Sequence, residues 1–243
     1  MVRKYPELLS GVDLTPIHRN MSFENFVVTE RNRKAYEISK EYSFNPKGFL
    51  YLFGKTGCGK THLAVSVLKS LSPIPYPKNV LVEKERQLCN LIEHYEKIKG
   101  MKKEAERHRD FYECNQWRYR PAKGFFLKSF HYISRLSDYS GYEAISKMNY
   151  INSLKNYDCI VLDDFGMEKF TESVKQYFYM LIDEFYTGQK PMIITSNRSI
   201  VEINRVMPGV ASRIAEGKVI HLDDIDHRIK TDYAKVKSPS ERL

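Results

Sequence analysis

Eight consecutive residues, Gly54-Lys55-Thr56-Gly57-Cys58-Gly59-Lys60-Thr61, have the spacing G-x-x-x-x-G-K-[ST], a backbone cradle for phosphate groups. Its glycines let successive N–H groups turn inward on phosphate oxygens. Lys60 would place a cation on the β- and γ-phosphates of a nucleotide, and the Thr61 hydroxyl is a ligand for Mg2+. Such a loop must be held between a strand and the positive end of a helix. The flanks supply both. Residues 48–53, Gly-Phe-Leu-Tyr-Leu-Phe, form an apolar run suited to a buried strand. Leu63, Ala64, Val67, Leu68 and Leu71 then recur at helical spacing.

A second group of side chains has complementary chemistry. Cys159-Ile160-Val161-Leu162 is an apolar strand that ends in Asp163-Asp164. A parallel strand beside the phosphate-loop strand would deliver these carboxylates to the γ-phosphate, the arrangement of a Walker B segment. Asp163 would hold Mg2+, and Asp164 would polarise an attacking water. Met192-Ile193-Ile194-Thr195 runs into Ser196-Asn197, where Asn197 suits a hydrogen bond to the γ-phosphate or the water; the same triplet is also ordinary turn chemistry. Arg213 follows the loop Met207-Pro208-Gly209. It fits either an arginine that caps the nucleotide of a neighbouring subunit or a surface salt bridge.

These groups need a scaffold, and the chain alternates strand and helix patterns. Strands are expected at 124–127, 157–162 and 191–195, and helices at 130–136, 143–154 and 173–187, with a mixed stretch from Glu30 to Tyr42 that fits a helix. This order predicts an α/β fold, a parallel sheet flanked by helices. Residues 1–20 form an N-terminal arm, 21–232 the ATPase domain, and 233–243 a flexible tail. Residues 73–122 interrupt the core as a charged helical insertion. Leu81, Leu88, Leu91, Tyr95, Ile98 and Ala105 give it a narrow seam, which Lys84 and Lys102 interrupt. One long helix or a hairpin fits it, as a partner- or DNA-contacting element or as a helix laid on the core. Its Cys89, His94, His108 and Cys114 match no zinc spacing.

The 243 residues carry a formal net charge of +9, which favours an anionic partner, with nucleic acid first. No apolar run is long enough to span a bilayer, and residues 1–7 lack the apolar core of a signal peptide. Cys58, Cys89, Cys114 and Cys159 show no disulfide framework, so free thiols in a reducing cytoplasm are expected.

Together these pieces resemble the AAA+ ATPases of the DnaC/DnaI helicase-loader and IstB transposition-helper group. The resemblance rests on Phe23-Glu24-Asn25-Phe26, on Gly54–Thr61 followed by His62-Leu63-Ala64, and on Leu162-Asp163-Asp164-Phe165-Gly166 with Glu168. It continues through Ile194-Thr195-Ser196-Asn197, Ser212-Arg213-Ile214 and Asp226-His227-Arg228. It implies a P-loop AAA+ core, with the insertion and without a clear C-terminal lid domain. It implies that Gly54, Lys55, Thr56, Gly57, Cys58, Gly59, Lys60, Thr61 and His62 bind ATP, with Phe26 beside the adenine. Thr61 and Asp163 would take Mg2+, Asp164 and Asn197 would act in hydrolysis, Arg213 would be an arginine finger, and Arg228 a sensor-like arginine at the nucleotide. It implies a homo-oligomer on single-stranded DNA that loads a replicative helicase; a transposase partner, or a nucleotide-gated binding module with negligible turnover, are the alternatives. Lys128, Arg135, Lys147 and Lys155, with Tyr139 and Tyr142 for stacking, are the DNA-contact candidates in the core. The insertion, with Lys97, Lys99, Lys102, Lys103, Arg107 and Arg109, is a rival surface.

Overall fold

The computed structural model describes residues 9–10, 15–137 and 144–224. The chain runs β1 (Leu9–Ser10), α1 (Pro16–Asn20), a 3-10 turn (Phe23–Asn25), α2 (Arg33–Phe44), β2 (Phe49–Gly54) and α3 (Lys60–Lys69). It continues with β3 (Ile74–Pro75), α4 (Lys78–Lys97), α5 (Lys102–Glu113), a second 3-10 turn (Gln116–Arg118) and β4 (Tyr119–Arg120). Then come β5 (Gly124–Lys128), α6 (Ser129–Ser137), α7 (Ala144–Leu154), β6 (Cys159–Phe165) and α8 (Glu172–Thr187). The last elements are β7 (Met192–Ser196), α9 (Ile200–Val206), α10 (Pro208–Ala215) and β8 (Lys218–Leu222). Residues 72–122 form one compact unit, and the described residues on either side form another.

The larger unit is built on a parallel sheet of order β1-β5-β6-β7-β2-β8. Its strands alternate strictly between two cores. Phe49 and Tyr51 of β2 pack with Ile160, Leu162 and Ile194 under helices α6 to α10. Leu50 and Leu52 face the other way, with Val161, Ile193 and Leu222, under α2 and α3. Both faces are covered, so these strands are apolar throughout, and this is why they were legible as runs. The register Phe49↔Met192 to Phe53↔Ser196 and Lys128↔Asp163 brings the ends of β2, β5, β6 and β7 level. In open parallel sheets that edge is where ligands bind.

The structure corrects three local expectations. Part of the 1–20 arm is ordered into the fold: Leu9–Ser10 pairs with Gly124–Phe125, and Pro16–Asn20 is helical. Pro208 and Gly209 are not loop but the first turn of α10, since proline is favoured where the N–H needs no helical partner. β8 went unforeseen. It is an edge strand whose Lys218 and His221 face solvent, so its apolar signal is short. The tail at 233–243 and any lid beyond Asp224 lie outside the described residues.

The unit at 72–122 is a helical hairpin. The chain reverses at Gly100, whose φ of +94° suits glycine. Leu88 and Ala105 are buried between α4 and α5, Tyr95 stacks on His108 at 5.3 Å, and Tyr112 stacks on Trp117 at 5.7 Å. Lys84 does not break the seam, because its ammonium lies 4.4 Å from the centre of the Tyr76 ring. A two-residue antiparallel ribbon, β3 with β4, closes the base. Among the described residues no three His, Cys, Asp or Glu side chains converge as a metal site, all four cysteines are free, and no helix is long and apolar enough to cross a membrane.

Candidate functional site

The phosphate loop joins the C-terminal end of β2 to the first turn of α3. Gly59 shows why glycine is required. Its φ is +98°, and an added Cβ would lie 2.8 Å from the Phe26 ring. Gly54, at φ +154°, has a second constraint: a Cβ there would lie 2.2 Å from the Leu222 carbonyl oxygen. Lys60 is buried, and its ammonium donates to the carbonyls of Gly54 at 3.0 Å and Lys55 at 2.7 Å. Its third contact is the weak acceptor Cys58 Sγ at 3.8 Å, one that a phosphate oxyanion would displace. A cleft of about 440 Å3 opens above the loop.

The cleft brings together most of the residues expected from sequence. Thr56, Gly57, Gly59, Lys60, Thr61 and His62 line it, with Phe26 at one side and Asp164 and Asn197 at the other. Gly54, Lys55, Cys58 and Asp163 do not line it. Gly54 and Lys55 contribute carbonyls to Lys60, and Cys58 is buried in the α3-side core, where desolvation pushes its thiol up and leaves it unreactive. Asn25, Met21, Val27 and Met167 complete the lining; the last three were missed, since isolated apolar residues between elements carry no periodic signal. Phe26 stacks on Tyr36 at 5.8 Å and meets the edge of His62 at 5.1 Å. His62 Nε2 is 2.9 Å from the Ser22 carbonyl and 3.0 Å from Asn25 Oδ1. Burial lowers the His62 pKa, which favours the neutral ring. The result is a flat apolar wall fit for a planar base.

The two carboxylates are aimed by a fault in the sheet. Leu162 pairs with Ile194 and Phe165 with Ser196, so Asp163 and Asp164 together oppose Thr195, a β-bulge. Asp164 has φ +59°, a left-handed conformation uncommon outside glycine and a mark of functional sites when the surroundings enforce it. Thr195 enforces it here. Its hydroxyl donates to Asp163 Oδ1 at 2.6 Å and accepts the Asp164 N–H at 3.0 Å. Thr61 donates to the same Asp163 oxygen at 2.9 Å. Behind them the Ser129 hydroxyl lies 3.0 Å from the Asp164 carbonyl and also against Glu168, its single proton shared between these two acceptors, and Glu168 accepts the Gly166 N–H at 3.2 Å.

Asp163 is buried, and desolvation, then the charge of Asp164, raises its pKa; hydrogen bonds from Thr195 and Thr61 oppose the rise. A carboxyl raised on folding loses its proton later than the same group in the unfolded chain. Its ionisation therefore subtracts stability as pH rises through the window between the two values. A divalent cation at Thr61 and Asp163 would offset that cost. Thr195 was missed as a positioning group because its side chain acts across the bulge. Replacing it by Val should weaken Mg2+ affinity about 10–100-fold, with Ser restoring it, as measured by the midpoint of a Mg2+ titration of nucleotide affinity. Equal Mg2+ dependence in Val, Ser and wild type would remove Thr195 from this role.

Asn197 Nδ2 is 3.4 Å from Thr56 Oγ1, so it faces the phosphate loop. Arg213 is not in the cleft. It pairs with Asp183 at 2.6 Å, donates to the Gly209 carbonyl at 2.9 Å and Tyr179 hydroxyl at 3.0 Å, and lies between the Tyr179 and Tyr186 rings. Arg228, Tyr139 and Tyr142 lie outside the described residues. Of the DNA-contact candidates in the core, Lys155 pairs with Glu184 at 2.7 Å, Lys147 donates to the Tyr177 hydroxyl, and Arg135 covers the Tyr150 ring.

The family model for the bacterial DnaA ATPase domain matches residues 17–113. The DnaA chromosomal replication initiators of Onion yellows phytoplasma and Kosmotoga olearia are similar, 24% and 25% identical over 86% and 99% of the chain. The chain spans 33% and 44% of their lengths. Among solved structures, DnaA bound to AMPPCP and single-stranded DNA superposes with a TM-score of 0.58 at 19% identity, over 92% of this chain and 56% of its own. The DnaC helicase loader gives 0.56 at 21% identity, over 86% of this chain and 98% of its own, and DnaI gives 0.58 at 13%, over 88% and 96%. This chain therefore carries an AAA+ ATPase fold, related to that of the DnaA, DnaC and DnaI replication proteins.

Proposed function

We propose that this chain binds ATP with Mg2+, hydrolyses it, and uses the cycle to control its own assembly on single-stranded DNA while a replicative helicase is loaded. The observation that supports this most is the convergence, in one cleft, of the phosphate loop, Asp164 of the bulge and Asn197, with Asp163 hydrogen-bonded to the loop's Thr61. A protein that only held nucleotide would need the loop but no strained carboxylate opposite it.

The residues present fit the nucleotide and the metal. The glycine loop is a cradle that side chains would fill, and Thr61 and Asp163 already share one oxygen-rich point. Lys60 and the α3 N-terminus would neutralise phosphate charge. Mg2+ would add charge stabilisation at the phosphates. Asp164 would accept a proton from, or orient, the attacking water, with Asn197 fixing its position. The DnaA structure with AMPPCP and single-stranded DNA, and the DnaC helicase loader, are the relatives whose partners motivate the DNA and helicase parts of the reading.

Light scattering on the full chain with a labelled oligo(dT) strand tests the reading. MgATP should convert monomers to larger assemblies on the strand, MgADP should not, and the helicase should co-elute only with the ATP form. Identical mass in ATP, ADP and no nucleotide would overturn the assembly claim.

A further inference from the structure

The four cations proposed from the core are engaged within the chain: Lys147, Lys155 and Arg135 have the partners described above, and Lys128 is also in contact with a neighbouring group. The hairpin tip differs. Residues 97–103, Lys-Ile-Lys-Gly-Met-Lys-Lys, hold four lysines and no carboxylate. Among the described residues Lys99, Lys102 and Lys103, all exposed, have no ion-pair or hydrogen-bond partner, and Lys97 only approaches Glu93 at 3.9 Å. The placement also runs against local preference. Lys102 and Lys103 sit in the first turn of α5, where the backbone is already positive, with only Glu104 beside them, and Lys103 precedes Arg107 by one turn; Lys97, in the last turn of α4, is placed favourably. Between the lysines Ile98 and Met101 stand 37% and 40% exposed.

We propose that this tip is a contact for duplex DNA, with the lysines on phosphates and Ile98 and Met101 against the minor groove. Charge complementarity selects a polyanion. Two apolar side chains offer too little area to hold a lipid surface, yet aliphatic wedges between cations are what minor-groove proteins insert at base steps. Single strands are held by aromatic stacking, and the tip has no aromatic residue. The tip therefore adds a duplex contact to the single-strand contact proposed above. It rests on that reading only for the expectation that DNA is the polyanion.

Fluorescence anisotropy of the full chain with MgATP, on a short labelled duplex and on oligo(dT), tests this across a KCl series. The triple variant Lys99→Gln/Lys102→Gln/Lys103→Gln should weaken duplex binding roughly tenfold or more and flatten the log–log salt slope by about 2 to 3, leaving oligo(dT) and ATP affinity unchanged. Ile98→Ser/Met101→Ser should weaken duplex binding at an unchanged slope. Circular dichroism confirms that both variants keep the hairpin helices. Unchanged duplex affinity in the triple variant, no duplex binding by wild type, or equal loss on both DNAs would overturn the proposal. So would a loss confined to phosphatidylglycerol vesicles. Duplex loss in a chain that binds no ATP or oligo(dT) would instead sink the proposed function and leave the tip assignment standing.

Discussion

Asp164→Asn should lower ATP turnover about 10^2–10^4-fold while MgATP still binds, the range expected for losing a positioned general base. The substitution is chosen from the geometry. Asparagine tolerates the left-handed backbone at this position, so the bulge and the Asp164 N–H bond to Thr195 persist. What is lost is one negative charge facing the phosphate loop across the cleft. Nucleotide affinity should hold or rise slightly, because that charge repels phosphate. Lys60→Ala is the contrasting variant, since it removes the cation on the phosphates and should weaken binding as well as turnover. Phosphate release and titration with a fluorescent ATP analogue separate the two. Unaltered turnover in Asp164→Asn would assign the strained carboxylate to structure alone.

Arg213→Ala should abolish assembly-dependent turnover, about 10^3–10^5-fold if Arg213 serves a neighbour's nucleotide, with ATP affinity of the isolated subunit unchanged. Arg213 is far enough from its own cleft to line no part of it, yet it is heavily held. Asp183, the Gly209 carbonyl and two tyrosine rings surround it, and its Nε is buried without a hydrogen-bond partner. A purely structural arginine would make Asp183→Asn and Arg213→Ala lose activity alike. An arginine that reaches outward makes only Arg213→Ala lose it, since Asp183→Asn keeps the guanidinium and loosens its tether. Mixing gives the sharper readout. Arg213→Ala subunits retain Asp164, and Asp164→Asn subunits retain Arg213, so the two inactive proteins together should recover part of the wild-type rate. No recovery at any ratio would place Arg213 in the local salt bridge only.

The phosphate loop, the Asp163-Asp164 pair and the sheet were legible because each rests on a local pattern. Glycine spacing encodes the loop, and double-sided burial makes β2, β6 and β7 continuous apolar runs. The unread parts depend on contacts distant in sequence. Thr195 becomes a positioning group only because the bulge places two residues opposite it. The buried Asn32 and Asp224, joined at 2.7 Å and shared with Thr29 at 2.9 Å, tie the loop behind Phe26 to the end of β8 across nearly the whole chain. No short-range pattern announces that pairing. The hairpin was half legible. Its seam was visible, but whether the chain continued or turned depended on Gly100.

The central claim is that this cleft hydrolyses ATP and that assembly on DNA sets the rate. Steady-state ATPase activity per subunit, measured across protein concentration with and without single-stranded DNA, tests it most directly. The account predicts a rate that climbs with concentration and climbs further with DNA. A rate that is flat in both, at saturating MgATP, would contradict it.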